Sequence, residues 1–250
     1  HAEYTADEKL LRGMSELVHG LKSPFWTHNS ETKSETDGCF ERHGMSPTEY
    51  LDSLGLYDFG GGGYHCVWFS ERDIEIFAEK GLWAVTCPCS NAKLASGIAP
   101  LERFEKRGVR LAVGTDGPAS NNALDMFREM YLACVLQKLR LNDAAACPAE
   151  NILLAACSGG ARAMGLDGCD SLSEGKAADL AVISLHRPNM RPIHDVAKNL
   201  VYSGTRDNVR MTMVAGRILY ENGEFRVGCD AEEIYAEAEK YTKELIENEA

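Results

Sequence analysis

Positive charge is in short supply in this sequence: 26 Lys and Arg stand against 38 Asp and Glu, for a formal charge of −12. A surface of that sign repels a phosphate backbone or an anionic membrane, so the expected partner is a small molecule, with no nucleic acid and no membrane. No apolar run approaches the roughly 20 residues that a membrane-spanning helix needs. The chain also opens without the charged and apolar regions of a secretory signal. A cytoplasmic protein is expected. The nine cysteines, at positions 39, 66, 87, 89, 134, 147, 157, 169 and 229, include no CxxC pair, and several sit inside apolar segments. With 250 residues and 44% hydrophobic content the chain can bury a large core without covalent staples. Reduced core thiols are expected in place of a disulfide framework. Four glycines in a row at 60–63 lack the GxGxxG spacing of a dinucleotide loop. An initiator methionine is missing too, and the protein is expected to extend further toward its N-terminus than His1.

What is present alternates. Thr5 and Glu8 have the spacing of a capping box, and Leu10, Leu11, Met14, Leu17 and Val18 follow on one face, which predicts a helix over 5–19. Residues 23–27, leading into His28, read as a short strand. Ser46-Pro47 opens a helix over 46–55 carrying Tyr50, Leu51 and Leu54, and the apolar stretch YHCVWF at 64–69 reads as the next strand. Ser70 and Asp73 cap a helix bearing Ile74, Phe77 and Ala78, stopped by Gly81, and LWAVT at 82–86 is a strand. Pro100 starts a helix with Leu101 and Phe104 that closes at Gly108, and VRLAVG at 109–114 is a buried strand. Helices over 122–139 and 149–164 follow, with Met126, Met130, Val135 and Leu136 read as core.

Short strands alternating with helices signal repeated βα units and a parallel sheet, and polar residues crowd the C-terminal end of each strand. That pattern favours a (β/α)8 barrel over a doubly wound sheet, so residues 1–168 are expected to form a partial barrel. After Gly168 the rhythm changes. DLAVIS at 179–184, NLVYS at 199–203, and the RMTMVAGRILYENGEF run with Asn222-Gly223 as a hairpin turn read as β-strands of a small all-β unit over 169–228. The remainder, 229–250, is expected to be an amphipathic helix that docks through Ile234, Ala238, Tyr241 and Leu245.

His28 and Glu31 stand three apart in WTHNSETKSE, just past a predicted strand. A histidine there can offer a neutral imidazole to a metal, and a nearby glutamate can shuttle protons. The same pair is also the ordinary composition of a solvated loop edge. His65, on an apolar strand, reads equally as a core histidine with a satisfied hydrogen bond. Asp116 directly follows the VRLAVG strand and can ligate a metal or accept a proton, although TDG is also a common turn sequence. His186 and His194 lie in a Pro-containing loop without an acidic partner and read as structural or surface residues, whereas His1 stays a candidate. Cys87 and Cys89 flank Pro88 at a strand end and read as buried or loop cysteines, because a nucleophile needs a base and a metal site more thiolates. The combination carries more than its parts. His28, His65 and Asp116 fall at the ends of three different strands, and His, His, Glu and Asp converging on one barrel face are what metal-assisted hydrolysis needs.

These residues belong to an ordered series: HAEYT at 1–5, HNSET at 28–32, YLDSLGL at 50–56, HCVW at 65–68, SNAKLASGIAP at 90–100, GTDGPASNN at 114–122 and LSEGKAADLAVI at 172–183. Over essentially the whole chain this series resembles the amidohydrolase superfamily, and within it the 5-methylthioadenosine/S-adenosylhomocysteine deaminase branch. The resemblance implies an α/β fold: the C-terminal half of a TIM-type (β/α)8 barrel, part of a small β-sandwich and a C-terminal helix. It implies zinc, with other divalent metals left open, held by His28 and Asp116. Glu31 becomes the proton shuttle, Asp116 the acceptor of a proton from the attacking water, and His65 the neighbour of the new hydroxyl. His1, Glu31 and Asp116 become contacts of a nucleoside substrate. The implied reaction is hydrolytic deamination of an adenosine thioether, in which water activated at zinc attacks C6, Glu31 protonates a ring nitrogen and ammonia leaves. The same residues serve other amidohydrolase reactions, on a guanine-like or triazine base or a cyclic amide, and a degenerate non-catalytic barrel is a further alternative. A homo-oligomer is left open. In the family pattern a His-x-His pair precedes the position of His1, so the resemblance implies that the 250 residues are an incomplete part of the enzyme, inactive alone. Trp68 stands where many relatives carry a second histidine, in an HCVH motif, and Glu3 where proline is common.

Overall fold

In the computed structural model, which describes residues 1–249, the chain enters through a 3-10 turn at Glu3–Thr5. Thr5 does not cap the first helix, contrary to its capping-box spacing with Glu8; its Oγ1 closes the turn on Ala2. Asp7 is the cap, accepting the Leu10 N–H at 2.7 Å, and α1 runs Glu8–Leu21. The alternation then unfolds as β1 (Phe25–Asn29), α2 (Lys33–His43), α3 (Pro47–Ser53), β2 (Gly61–His65), α4 (Glu71–Glu79), β3 (Trp83–Thr86), α5 (Pro88–Lys93), α6 (Leu101–Arg107) and β4 (Arg110–Val113). The strands form a four-stranded sheet in the order β1-β2-β3-β4, every pair parallel. Parallel neighbours need crossover connections, which these helices supply.

Side chains alternate across the sheet, and the burial of β1 follows: Phe25, Thr27 and Asn29 are buried, Trp26 and His28 half-buried. Beneath the helices lies a core containing Leu51, Leu56, Tyr57, Ile74, Phe77, Leu82 and Phe104. The opposite face is more open and borders a cavity of about 660 Å³ lined by Trp26, Tyr64, Trp83, Val85 and Arg110 among others. Register places Trp26, Gly62, Trp83 and Arg110 in one row, and His28, Tyr64, Val85 and Ala112 in the next.

That register corrects the assignment of β2. The strand is the glycine run itself, Gly61–His65, and the apolar stretch YHCVWF leaves it after His65, where positive φ at His65 (69°) and Cys66 (51°) turns the chain out of the ladder. The glycines are there for space. A Cβ on Gly62 would lie 2.1 Å from the Trp83 carbonyl oxygen and 2.8 Å from the Trp26 ring. Strand propensity scales, which measure side-chain packing, miss a strand made of backbone.

Beyond β4 come α7 (Pro118–Asn121), α8 (Met126–Leu141) and α9 (Ala149–Leu154), the last running through a π turn at Ala155–Gly159 into α10 (Gly160–Ala163). The expected helices over 122–139 and 149–164 are therefore present, the first starting at Met126 behind an Asp125 cap. Met130 is buried, and Met126, Val135 and Leu136 are half-buried. Next are β5 (Leu180–Ile183), α11 (Val196–Ser203), β6 (Val209–Val214), β7 (Arg217–Glu221) and β8 (Glu224–Phe225), the strands forming a second, antiparallel four-stranded sheet in sequence order. Asn222 and Gly223 make the hairpin turn with φ of 51° and 101°, as expected. NLVYS is not a strand: it is the body of α11, capped by Asp195 and burying Val201. A five-residue apolar run carries no period long enough to separate strand from helix. Finally α12 (Ala231–Glu249) forms where expected, but Ile234, Tyr241 and Leu245 are exposed, so the predicted docking face is uncovered. The result is a mixed α/β fold in which all nine cysteines are free thiols, six of them buried.

Gly62→Ala is expected to destabilise the chain by about 1–3 kcal/mol or more, as overpacking against fixed backbone does. Gly13→Ala, in α1 with nothing within 4 Å of its added carbon, is expected to stabilise by about 0.5–1 kcal/mol. Urea midpoints of the two variants against the parent chain check both signs.

Candidate active site

At the C-terminal end of the parallel sheet, three strands deliver three ligand-type side chains. His28 comes from β1, His65 from the last residue of β2, and Asp116 from the turn after β4. His65 and Asp116 both hold positive φ, 69° and 60°. Such left-handed conformations are costly for residues with a Cβ and cluster at functional sites. One ligand atom each from His28, His65 and Asp116 lie within 4.8 Å of one another. The imidazole rings of His28 and His65 stack with centroids 5.3 Å apart.

Each side chain is held from behind. Nδ1 of His28 lies 3.0 Å from the His1 carbonyl oxygen, which also accepts the His28 N–H at 2.9 Å and the Thr27 hydroxyl at 2.6 Å. Burial, with the neighbouring His65, lowers the His28 pKa, although Asp116 and Glu31 pull the other way. His65 is fully buried, with Nδ1 2.7 Å from Asn91 Oδ1. Asp116 Oδ2 accepts hydrogen bonds from Ser90 Oγ and Ser120 Oγ, both at 2.6 Å. Burial alone would push this carboxyl up, but those hydroxyls and the Gly117 N–H together hold it below the usual aspartate value.

Glu31 sits beside the cluster, its Oε2 3.7 Å from His65 Nε2 and its Oε1 accepting from Ser96 Oγ at 2.9 Å. Its segment is no solvated loop edge. Thr32 caps α2 by accepting the Glu35 N–H, and the buried Glu35 carboxylate turns back to accept the N–H groups of Ser30 at 2.8 Å and Glu31 at 2.7 Å. Burial raises the Glu35 pKa, and the backbone N–H bonds from Ser30, Glu31 and Thr32 oppose that rise. Glu35 thereby fixes the backbone from which Glu31 reaches inward.

His1 is exposed, its ring 4.2 Å from that of His28. His186 and His194 are exposed on the far segment and take no part in this cluster. Cys87 and Cys89 are buried; burial pushes both thiols up, Cys89 to about 12, which rules out a ready thiolate. The donor set of two imidazole nitrogens and a carboxylate oxygen fits zinc or a similar divalent cation. His65 enters that set on geometry, beyond the two ligands His28 and Asp116 that the resemblance implies. Ser90, Asn91, Ser96, Ser120 and Glu35 have no role assigned from sequence, although SNAKLAS offers a signal: a run of small polar residues directly after a buried strand.

Comparison with known proteins places this geometry. A family model described as the amidohydrolase family matches residues 1–219. The chain is 40% identical over 246 residues to a 5-methylthioadenosine/S-adenosylhomocysteine deaminase of Natronomonas pharaonis, covering 98% of this chain and 57% of the relative. It is 38% identical to a 5'-deoxyadenosine deaminase of Methanothermobacter thermautotrophicus, covering 99% and 56%. Among solved structures, an adenosine deaminase from Xanthomonas campestris with bound zinc superposes with a TM-score of 0.91 at 35% identity, covering 98% of this chain and 56% of that one. The chain thus spans somewhat more than half the length of the relatives it matches.

Zinc titration of the 250-residue chain is expected to show binding that His28→Ala and Asp116→Ala each reduce by at least about 10-fold, the scale on which lost metal-site interactions are felt. The pH dependence follows from His28. Its ordinary value is 6.5 and burial lowers it, so the ring stays neutral and able to ligate as pH falls through 6.5. Zinc release on acidification, followed with a chromophoric chelator, is expected below that value; release centred above it would remove His28 from the ligand set.

Proposed function

Because this chain belongs to the amidohydrolase family, we propose that it carries the catalytic centre of a zinc-dependent hydrolytic deaminase of adenosine thioethers, with 5-methylthioadenosine and S-adenosylhomocysteine as substrates. The observation that carries this reading is the convergence of His28, His65 and Asp116 within 4.8 Å, with Glu31 at 3.7 Å from His65. A bound zinc would polarise a water molecule and bring its pKa down to about 7. Asp116, kept ionised by its hydroxyl donors, accepts the proton that the attacking water gives up. Glu31 delivers a proton to a ring nitrogen of the adenine as the hydroxyl forms at C6 beside His65; the proton held by Asp116 passes to the amino group, the C6–N bond breaks to release ammonia, and the C6 hydroxyl gives its proton back to Glu31, leaving the inosine counterpart. His1, on the open side of His28, is the nucleoside contact.

In the same reading, residues 1–168 with their parallel βα units are half of a (β/α)8 barrel, 169–228 part of a β-sandwich and 229–250 a C-terminal helix. The open sheet face with Trp26, Tyr64 and Trp83 around its cavity suits a barrel interior. His28 and Asp116 are two of the four protein ligands that the family pattern implies, so the 250 residues alone are expected to hold zinc weakly and release little ammonia.

Ammonia release from 5-methylthioadenosine, S-adenosylhomocysteine, 5'-deoxyadenosine, guanine and a triazine tests the proposal, run on the 250-residue chain and on the complete product of its gene. The thioethers are expected to be preferred by the complete product, and Glu31→Gln to lower kcat by about 10²–10⁴-fold, the usual worth of a positioned acid–base group. Activity on none of the five, or full activity in Glu31→Gln, would sink the reading. Equal rates for the two lengths would overturn the ligand assignment.

A further inference from the structure

We propose that Trp68 is a specificity-determining residue, its indole being the surface against which the purine base of the substrate lies. The inference rests on the proposed function and deepens it by giving the base a wall to stack on. Trp68 is the tryptophan at the position of the second histidine in HCVH, and the reaction leaves it without a role. Hydrogen bonds fix it beside Glu31. Its backbone N–H donates to the carbonyl of Ser30, one residue before Glu31, at 2.9 Å. Its indole N–H donates to the Ser96 carbonyl at 2.7 Å, and the hydroxyl of the same serine donates to Glu31 Oε1 at 2.9 Å. A single residue, Ser96, therefore bridges the ring to the carboxylate.

The surroundings of the indole are closed, but the indole is not. Val67 is 7% exposed and Ser96 3%, whereas Trp68 is 43% exposed. Gly97, at φ 128°, packs against the nitrogen edge of the ring: a Cβ there would lie 3.6 Å from the indole nitrogen and 2.8 Å from Val67. An indole has one polar atom, and the Ser96 carbonyl accepts from it. The uncovered part of the ring is therefore carbon and π-surface, at the end of the sheet where His28, His65 and Asp116 gather. A free side chain loses rotamer entropy when a ligand lands on it; a ring already held through its backbone and its nitrogen loses little.

Chemistry selects the occupant. A ring nitrogen that takes a proton from Glu31 has to come within hydrogen-bond reach of its carboxylate. In adenine the ring nitrogen next to C6 lies across the base from the nitrogen that carries ribose. The base therefore occupies the Glu31 end of the pocket, next to the indole, and the sugar with its 5'-substituent points away. Every purine presents a π-face, and stacking on an aromatic side chain is indifferent to what the sugar carries. A histidine at position 68 would offer one smaller ring with two nitrogens that seek partners; an indole offers a wider apolar face. Tryptophan here strengthens the hold on the base and leaves the 5'-substituent unread.

Kinetics and binding measured on the complete product of the gene test the assignment. Trp68→Ala is expected to raise KM about 5–100-fold with kcat changed less than about 3-fold, the mark of lost uniform binding to a stacked base. The rise is expected to be the same for 5-methylthioadenosine, S-adenosylhomocysteine and 5'-deoxyadenosine. Trp68→Phe keeps a stacking face but no N–H, and is expected to recover most of the loss. A loss in kcat shared by Trp68→Ala and Trp68→Phe would make the indole only a support for Ser96 and overturn the proposal. A loss confined to S-adenosylhomocysteine would put the ring against the 5'-substituent and overturn it equally. Inosine, which is not turned over, is expected to quench the tryptophan emission of the parent protein more than that of Trp68→Phe; equal quenching in both would also overturn the proposal. Should Trp68→Ala fail to fold, Trp68→Phe and the inosine titration still decide. Quenching through Trp68 without ammonia release would count against the proposed function alone, and ammonia release without quenching or a KM effect against the base contact alone.

Discussion

Backbone contact between β1 and β2 sets the spacing on which the site depends. Phe25 faces Gly61 and the ladder runs on to Asn29 facing His65. A Cβ on Gly61 would lie 1.9 Å from the Phe25 carbonyl oxygen, and Gly62 is equally confined by Trp83. These positions accept only glycine, because a side chain at either would collide with the backbone of the neighbouring strand. A one-residue slip would also invert every side chain's face. The register brings the rings of His28 and His65 to 5.3 Å, and the further pairing through β3 to β4 brings Asp116 alongside.

Charge around the site is arranged without basic side chains. Asp116 is held by two serine hydroxyls, Glu31 by Ser96, Glu35 by backbone N–H groups, and Glu129 by the Cys89 N–H and the Asn121 amide. Among the described residues, no lysine or arginine pairs with any of the four. Hydroxyl and amide donors keep a carboxylate oriented while leaving its charge uncancelled, so the centre stays attractive to a cation. The shifts of Asp116 and His28 act in the same direction: a lowered carboxyl and a lowered imidazole are both in their ligating forms near neutrality.

How much of this could be read from the sequence depends on distance along the chain. The strands at 83–86 and 110–113 were legible because their apolar runs are bounded by glycine and proline, and so was the Ser70–Asp73 capping box. The glycine strand was not, since what fits there is the absence of a side chain. Nor was α2, whose mean polarity hides a helix anchored by Glu35 and Cys39 on one buried side. The candidate ligands stood out by type and by their place at strand ends, but their roles came from resemblance to a family. Their supports were illegible for a plainer reason: Asn91 meets His65 across 26 residues and Ser96 meets Glu31 across 65, and no local pattern encodes a partner that far away.

The His1 carbonyl gathers three donors from Thr27 and His28. Because the group that orients the His28 ring belongs to the main chain, the side chain at position 1 is relieved of that duty. Two tasks that share one residue are thereby uncoupled: the backbone serves the metal side, and the side chain faces outward. Replacing the side chain at position 1 would leave in place the carbonyl that orients the neighbouring imidazole.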